Sequence, residues 1–403
     1  MREHYDLIVV GAGPAGAAAA GFAAARGLGV LLVDKARFPR DKVCGDGVGS
    51  GALSALDRLG ATPAVEALNP WRIDSLLVSS PDRTEMVGRD PGVAGKRGYG
   101  YVIPRKRLDQ ALFKHVAARA GVDTVLGFSF KDFLRVRGRI SGVRGTIDGA
   151  DTAFSGAYIV GADGAHSAVA KRLGLYNSDR RHRVMAARAY FTGVKGLTSQ
   201  VEFHYEEAIL PGYGWIFPTG PDTANVGVGV ASRFKEQKDL TRLFEIFVEN
   251  NPSAREKLSG ASMVKGSFRG WPIATGSFAG PRGKGNVLLA GDAASLVDSV
   301  SGEGIYYAVK SGEFAAKAVA GAVRDKTGAT SALTAYERMR TRAFNWTEFV
   351  PGYFLQSFMN NRTLVNLAVR MAAKDPRKAN AIAGALAHSV PKSKLLVQWF
   401  KAA

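Results

Sequence analysis

The chain has 403 residues, 46% of them hydrophobic and 48 of them glycine, enough for a large core and more than one lobe in an ordinary α/β protein. Its single cysteine, Cys44, excludes an intrachain disulfide and an all-cysteine metal site, and fits a reducing, cytoplasmic compartment; no metal-ligand signature is present. Lys and Arg number 54 against 35 Asp and Glu, and the net +19 calls for an anionic partner, with a solvated basic surface as the plain alternative. An anionic membrane surface or an acidic protein fits better than nucleic acid, for which no recognition module is found. No apolar run approaches the roughly 18 residues a spanning helix needs. Met1-Arg2-Glu3-His4 passes straight into a strand, with no signal-peptide pattern.

In chain order, the apolar run Asp6 to Val10 reads as a strand, followed by Gly11-Ala12-Gly13-Pro14-Ala15-Gly16, an alanine-rich helix, a second strand from Gly29 to Val33, and Asp34. Gly11 permits a tight turn, Gly13 lets the backbone approach a pyrophosphate, and Gly16 lets the helix lie against the strand. The helix start offers N–H groups and partial positive charge to phosphates, and Asp34 falls where a ribose hydroxyl pair would be. The expectation is a bound dinucleotide. Residues 35 to 51 read as a charged, glycine-rich loop containing Lys42-Val43-Cys44-Gly45-Asp46-Gly47, and a helix over Ala52 to Leu59 follows.

The segment 74–98 reads as strands and turns broken by Pro81 and Pro91. Tyr99 to Ile103 is a predicted strand, and Arg105 opens a helix with Leu108, Leu112 and Val116 on one face. Strands alternate up to Val160, then Gly161-Ala162-Asp163-Gly164 leads into a helix that His166 is expected to cap. From Arg183 the period becomes two, through Gly214 to Phe217 and Asn225 to Val230, with a helix over 235–249 and a strand over 262–269. A buried strand resumes at Asn286 and ends at Gly291-Asp292, and a long helix runs from Gly304 to Arg324. The remainder is helical and aromatic, with breaks expected at Pro351, Pro376 and Pro391.

Three glycine-acid elements therefore stand in order, each after an apolar strand, where an α/β sheet presents its crevice. In this order they resemble the glutathione-reductase-like FAD proteins of the p-hydroxybenzoate hydroxylase type. The resemblance implies that Gly11 to Gly16 hold the ADP half with Asp34 and Lys35 close by. It places Asp163-Gly164 beside the pyrophosphate, Asp292 after Gly291 on the ribityl chain, and Arg105 next to the cofactor. Lys42 to Gly47, Pro211-Gly212-Tyr213-Gly214-Trp215-Ile216-Phe217-Pro218, and Gly302-Glu303-Gly304-Ile305-Tyr306-Tyr307-Ala308 look more narrowly like the geranylgeranyl reductase family. That family saturates prenyl double bonds of menaquinone, lipids and chlorophyll. Ser299 stands where the family usually has proline, so the loop before Gly302 is expected to be less constrained.

The implied fold is α/β: a glutathione-reductase-like FAD-binding Rossmann lobe (1–73, 99–182, 275–330), an inserted β-sheet substrate lobe (74–98, 183–274), and a helical C-terminal region (331–403). The implied reaction is saturation of a polyprenyl chain by hydride from reduced flavin. The alternatives are an aromatic monooxygenase that uses FAD and NAD(P)H, and a flavoprotein that binds prenyl lipid without turning it over. Cofactor contacts are expected at Gly11, Gly13, Ala15, Gly16, Asp34, Lys35, Cys44, Gly45, Arg105, Asp163, Gly291, Asp292, Gly302, Gly304 and Ile305. The N–H groups at Gly304 would face reduced flavin's negative edge. Tyr213, Trp215 and Phe217 share one strand face and are expected to line an apolar channel for substrate, unless they are only core. Cys44 and Asp46 are proton-donor candidates, with an inert buried thiol the alternative for Cys44.

No second glycine fingerprint is present, so NAD(P)H would visit transiently, or a small acidic carrier such as a flavodoxin or ferredoxin would dock. After Ser331 there are eleven basic residues and three acids. With Trp346, Phe349, Tyr353, Phe354, Phe358, and Leu395, Leu396, Trp399 and Phe400 framed by Lys392, Lys394 and Lys401, the tail is expected to lie peripherally on the inner face of the cell membrane, unless its aromatics simply cap the core.

Overall fold

The computed structural model describes residues 2–94, 97–232, 239–278 and 280–395. The strand His4–Val10 lies at the centre of an eight-stranded sheet, flanked in parallel by Val30–Asp34 and Ala150–Gly161. Val122–Leu126 and Val287–Leu289 extend the sheet on either side, also parallel. Leu7, Ile8 and Val9 are fully buried because helices and strands cover both faces, which explains the unbroken apolar run. The helices Pro14–Ala24 and Ile305–Arg324 pack together through small residues: a Cβ on Gly312 would stand 2.4 Å from Ala15 O.

A second sheet runs in the order Ser262–Met263, Arg183–Thr192, Thr223–Ala231, Gly212–Pro218, Gln200–His204, Ser75–Ser79, Glu85–Gly88, with Arg269–Ala274 also on Arg183–Thr192. Its alternating sequence sorts side chains by face. Ile216, Val226 and Val228 pack with Phe244 and Phe247 of the helix Leu240–Asn250. Trp215 and Phe217 point the other way, into a cluster with Phe203, Leu76 and, from the C-terminal helices, Val365, Val369 and Ala383. A small three-stranded sheet, Gly47–Val48, Gly100–Val102 and Trp71–Ile73, also contributes to this region.

Three local expectations change. The strand expected over 262–269 is two pieces, Ser262–Met263 and Arg269–Ala274. The helix expected from residue 235 begins at Leu240, and residues 233–238 lie outside the described residues. Pro351 does not break the tail: a π-helical stretch, Thr341–Phe349, runs directly into Val350–Phe358, and the wider π turns immediately before the proline are where the continuous helix accommodates it. Pro376 does stand at the expected break: the helix Arg362–Ala373 ends before it, and Pro376 opens the helix Pro376–Leu386. Leu396, Trp399, Phe400 and Lys401 lie outside the described residues.

Candidate active site

The first glycine turn is built by close approach. Gly11 has φ +103°, and a Cβ there would meet Ala162 O at 2.4 Å; one on Gly16 would meet Gly11 O at 1.7 Å. Gly13, by contrast, has only the Arg40 guanidinium within reach, at 3.4 Å, so its backbone is open to a phosphate. Asp34 is buried, with Oδ2 accepting the Ala12 N–H (2.6 Å) and Oδ1 the Ala36 N–H (2.8 Å), which ties the turn to the second strand. Lys35 is exposed beside it.

Asp163 directs its carboxylate at its own helix, accepting from Ser167 Oγ (2.5 Å) and the Ala168 N–H (2.6 Å). Ser167, not His166, is the cap: its Oγ accepts the Ala170 N–H at 2.8 Å, while the His166 ring meets the Trp271 ring edge-on. A hydroxyl one residue nearer the helix reaches the free N–H groups that an imidazole at 166 does not.

Gly291 turns with φ +60°, and a Cβ there would press on Ala15 at 2.9 Å. Asp292 then faces one large cavity, where its Oδ2 lies 2.7 Å from Lys42 Nζ. Burial alone would raise this carboxyl, but Lys42 and Arg105 hold it below the usual range. Gly304 lies 3.4 Å from Asp292 Oδ1 at its would-be Cβ and opens the helix Ile305–Arg324, whose first turn is capped by Glu303 Oε1 accepting the Tyr306 N–H (2.9 Å). Gly302, Gly304 and Ile305 line the same cavity.

The loop 42–47 closes the cavity from the other side. Asp46 is fully buried at φ +66°, and three donors converge on it: the Arg105 N–H on Oδ1 (3.2 Å), and Tyr190 Oη (2.5 Å) and Asn225 Nδ2 (2.8 Å) on Oδ2. Burial pushes its carboxyl up to about 6 in spite of those bonds. Asn225 also holds Cys44 O (2.7 Å) and accepts Trp215 Nε1–H (3.0 Å), so the aromatic strand and the loop share one network. Burial raises the Cys44 thiol, against the pull of Arg105. A Cβ on Gly45 would lie 3.2 Å from the Phe217 ring.

Arg105 is buried at the start of its helix. It makes a forked pair with Asp109 (2.6 and 2.8 Å), which also binds Arg40 (2.7 Å), the arginine above Gly13.

Tyr213, Trp215 and Phe217 all line the cavity, with successive ring centroids 6.1 and 6.2 Å apart and Phe203 edge-on to the first and last. Trp215 lies across Gly227, where any Cβ would overlap its ring at 2.2 Å. Tyr213 Oη donates to Ser301 O, tying this strand to the loop before Gly304.

That loop is not slack for want of a proline at Ser299. Gln356 Nε2 holds Ser299 O at 2.6 Å, and Asp298 Oδ1 accepts the N–H groups of Val300 (2.9 Å) and Ser301 (2.7 Å), so hydrogen bonds supply the constraint. Asn225, Tyr190 and Asp298 were not singled out from the sequence. The available signal for Asn225 was a polar residue in an otherwise apolar strand facing the aromatic one, where it pairs with Phe217.

An open backbone at Gly13, the half-buried Arg40 above it, and a carboxylate turned into the cavity beyond Gly291 suit a dinucleotide with a polyol chain. The comparisons agree. Residues 4–347 match the FAD binding domain family. The chain is 33% identical over 343 residues to a menaquinone reductase of Mycolicibacterium smegmatis, covering 82% of this chain and 80% of that one. It is 31% identical over 346 residues to a digeranylgeranylglycerophospholipid reductase of Methanocella arvoryzae, covering 84% and 83%. In fold it matches a geranylgeranyl bacteriochlorophyll reductase-like protein of Thermoplasma acidophilum over the whole of both chains (TM-score 0.83, 20% identity). It also matches a probable FAD-dependent monooxygenase of Pseudomonas aeruginosa over 91% of this chain and all of that one (TM-score 0.70, 21% identity). With the family match spanning most of its length, this chain belongs to the geranylgeranyl reductase family of FAD-binding proteins and is an FAD-dependent oxidoreductase.

Proposed function

We propose that this enzyme saturates carbon–carbon double bonds of a polyprenyl chain carried by an isoprenoid quinone or a lipid. The observation that carries the reading is the apolar arm of the cavity. From Asp292 and Gly304 it passes Trp215 and Phe217 and continues between the second sheet and the C-terminal helices, along Ile73, Leu76, Phe203, Met359 and Leu386. A prenyl chain offers no polar handle, so an extended apolar wall is the surface that can bind and align it. The names of the menaquinone and digeranylgeranylglycerophospholipid reductases point to the same class of substrate. In this reading the second sheet, with segments 74–98 and 183–274, is the substrate lobe.

Reduced FAD, when bound, supplies the hydride. Gly11, Gly13, Ala15, Gly16, Asp34 and Arg40 would hold its ADP half, and Asp292 its ribityl chain. The positive end of the helix after Gly304, where Glu303 already accepts the Tyr306 N–H, favours negative charge beside it. Cys44 is the proton donor in this reading, because its raised thiol keeps its proton at neutral pH and lines the cavity. Asp46 fixes the backbone that carries Cys44. Trp215 and Phe217 exclude water from the reacting bond.

The electron donor is NAD(P)H or a small acidic carrier such as a flavodoxin or ferredoxin, supported by the net charge of +19 and the lack of a second glycine fingerprint. The enzyme works at an anionic membrane surface, supported by the exposed Trp346, Phe354 and Phe358 on the C-terminal helices. Among the described residues no helix is long and apolar enough to cross a membrane.

Anaerobic reduction with dithionite followed by candidate acceptors tests the reading. Reoxidation by a prenylated quinone or lipid is expected, with a gain of two hydrogens in the prenyl chain that persists by mass spectrometry after any quinol headgroup has been reoxidised to the quinone. Reoxidation only by oxygen, with hydroxylation of a phenol, would make the protein a monooxygenase. Prenyl lipid retained but unchanged would make it a binding protein.

A further inference from the structure

The loop from Asp298 to Gly304 is tied to the C-terminal helices by a buried ion cluster. Lys392 Nζ lies 2.8 Å from Asp298 Oδ2 and 3.0 Å from Glu348 Oε2, and all three side chains are buried. Tyr307 Oη stands 3.4 Å from both of these carboxylate oxygens and from His388 Nδ1. Asp298, Glu348 and His388 have the spacing of a metal-ligand triad, but the Lys392 ammonium already lies against both carboxylates. The other oxygen of Asp298 shapes the loop, accepting the Val300 and Ser301 N–H groups and the Ser301 hydroxyl (3.1 Å). Ser301, Gly302, Glu303 and Gly304 then line the cavity beside Asp292. Lys392 therefore grips one oxygen of a carboxylate whose other oxygen sets the path of the cavity wall.

We propose that Lys392 is a positioning residue for the flavin end of the cavity, holding the loop 298–304 through Asp298 and offsetting the negative charge of Asp298 and Glu348 at its base. The proposal rests on FAD binding and is independent of prenyl reduction. In a buried region charges are weakly screened, so an uncompensated carboxylate here disfavours electrons on bound FAD, and an uncompensated ammonium favours them. The two partners thus act on the flavin with opposite signs, whereas loss of either one weakens the fold in the same direction.

The experiment uses the full-length holoprotein and the variants Lys392→Met, Asp298→Asn and the double variant, with Lys392→Arg as the charge-conserving control. The readouts are the midpoint potential of bound FAD, FAD retention and the thermal midpoint. Asp298→Asn keeps an acceptor oxygen for Val300 and Ser301. Lys392→Met is expected to change the ratio of reduced to oxidised FAD affinity about tenfold against the reduced form, about 30 mV more negative for a two-electron couple. Asp298→Asn is expected to shift the potential the opposite way, the double variant to return towards wild type, and Lys392→Arg to match it. Lower thermal midpoints with unchanged potentials would overturn the proposal. If Lys392→Met does not retain FAD, Asp298→Asn decides alone: a raised potential supports the proposal and an unchanged one overturns it.

Discussion

Lys42 and Asp292, 250 residues apart in sequence, form a 2.7 Å ion pair inside the cavity, joining the loop after the first two strands to the turn after the last. Two distant stretches of the FAD-binding match thus meet in one ion pair. Asp292→Ala is expected to weaken FAD binding tenfold or more, because the ribityl hydroxyls lose a charge-assisted partner worth roughly 1.5–3 kcal/mol. Lys42→Met should have a smaller effect of the same sign, since Asp292 remains but loses the cation that favours its ionised form. Flavin content after gel filtration at low added FAD checks both. Full occupancy in the Asp292 variant would remove Asp292 from the cofactor site.

Phe217 has no polar tie, whereas Trp215 also donates to Asn225 and so reaches Asp46. Phe217→Ala is therefore the cleaner probe of the channel. It should slow reoxidation of the reduced enzyme by a prenyl substrate at least tenfold while leaving reduction by dithionite within about twofold, since only the first step uses the apolar wall. Trp215→Ala should impair both, because a buried tryptophan lost to alanine costs about 3–5 kcal/mol in packing. Stopped-flow traces of the two half-reactions separate these cases. Equal slowing of both by Phe217→Ala would mean that Phe217 supports the fold and not the substrate.

The glycine turn, its helix and Asp34 were legible because their information is local: a few adjacent residues determine turn, approach and cap. The aromatic strand was legible because period two assigns a face without knowledge of the neighbour. The partners that tune the site were not. Asp46 is governed by Tyr190 and Asn225, which reach it from strands 144 and 179 residues away, and no spacing rule encodes such a crossing. Lys392 reads as a membrane-facing cation, one of the lysines framing the terminal apolar residues, yet it is buried against Asp298 and Glu348. Arg362 and Arg370 likewise pair with Glu207 and Asp82, so part of the tail's excess charge binds the protein's own acids. Phe349 is core, while Trp346 and Phe354 are open to solvent, a division set by which face of the continuous helix, π-helical up to Phe349 and α-helical beyond it, packs inward.

Asp46 makes stability depend on pH in a defined direction. Its folded value of about 6 lies above the usual value of 3.8, so the native state binds the proton more tightly than the unfolded chain does. Its contribution is fully present below about pH 4 and is lost as pH rises through about 6. The gap between the folded and unfolded values corresponds to roughly 3 kcal/mol. Asp46→Asn, which cannot titrate, should thus gain on wild type by up to that amount between about pH 4 and about pH 7. Urea midpoints for both proteins across this range, at fixed saturating FAD, check the sign. A difference that is flat, or that shrinks with rising pH, would show that the carboxylate stays ionised in the fold.

The exposed aromatics of the C-terminal helices offer the last test, and Lys392 dictates how to perform it. Ending the chain at Val390 would remove the cation between Asp298 and Glu348 and disturb the flavin loop, so loss of vesicle binding there would be uninterpretable. Point changes avoid this. Trp346, Phe354 and Phe358 are 73%, 68% and 43% exposed, and Leu367 and Met371 of the helix Arg362–Ala373 are exposed as well. Each large apolar side chain buried in lipid contributes at most roughly 1.5–3 kcal/mol, and each basic residue near anionic lipid about 1 kcal/mol. The triple change Trp346→Ser, Phe354→Ser and Phe358→Ser should therefore lower partitioning onto vesicles containing phosphatidylserine by at least tenfold. The thermal midpoint and FAD content should hold, because these side chains contribute little to the core. Raising the salt concentration should weaken the wild type further through screening of the basic residues. If the triple variant binds vesicles as well as wild type does, or if wild type does not bind them at all, these aromatics do not form a lipid-facing surface.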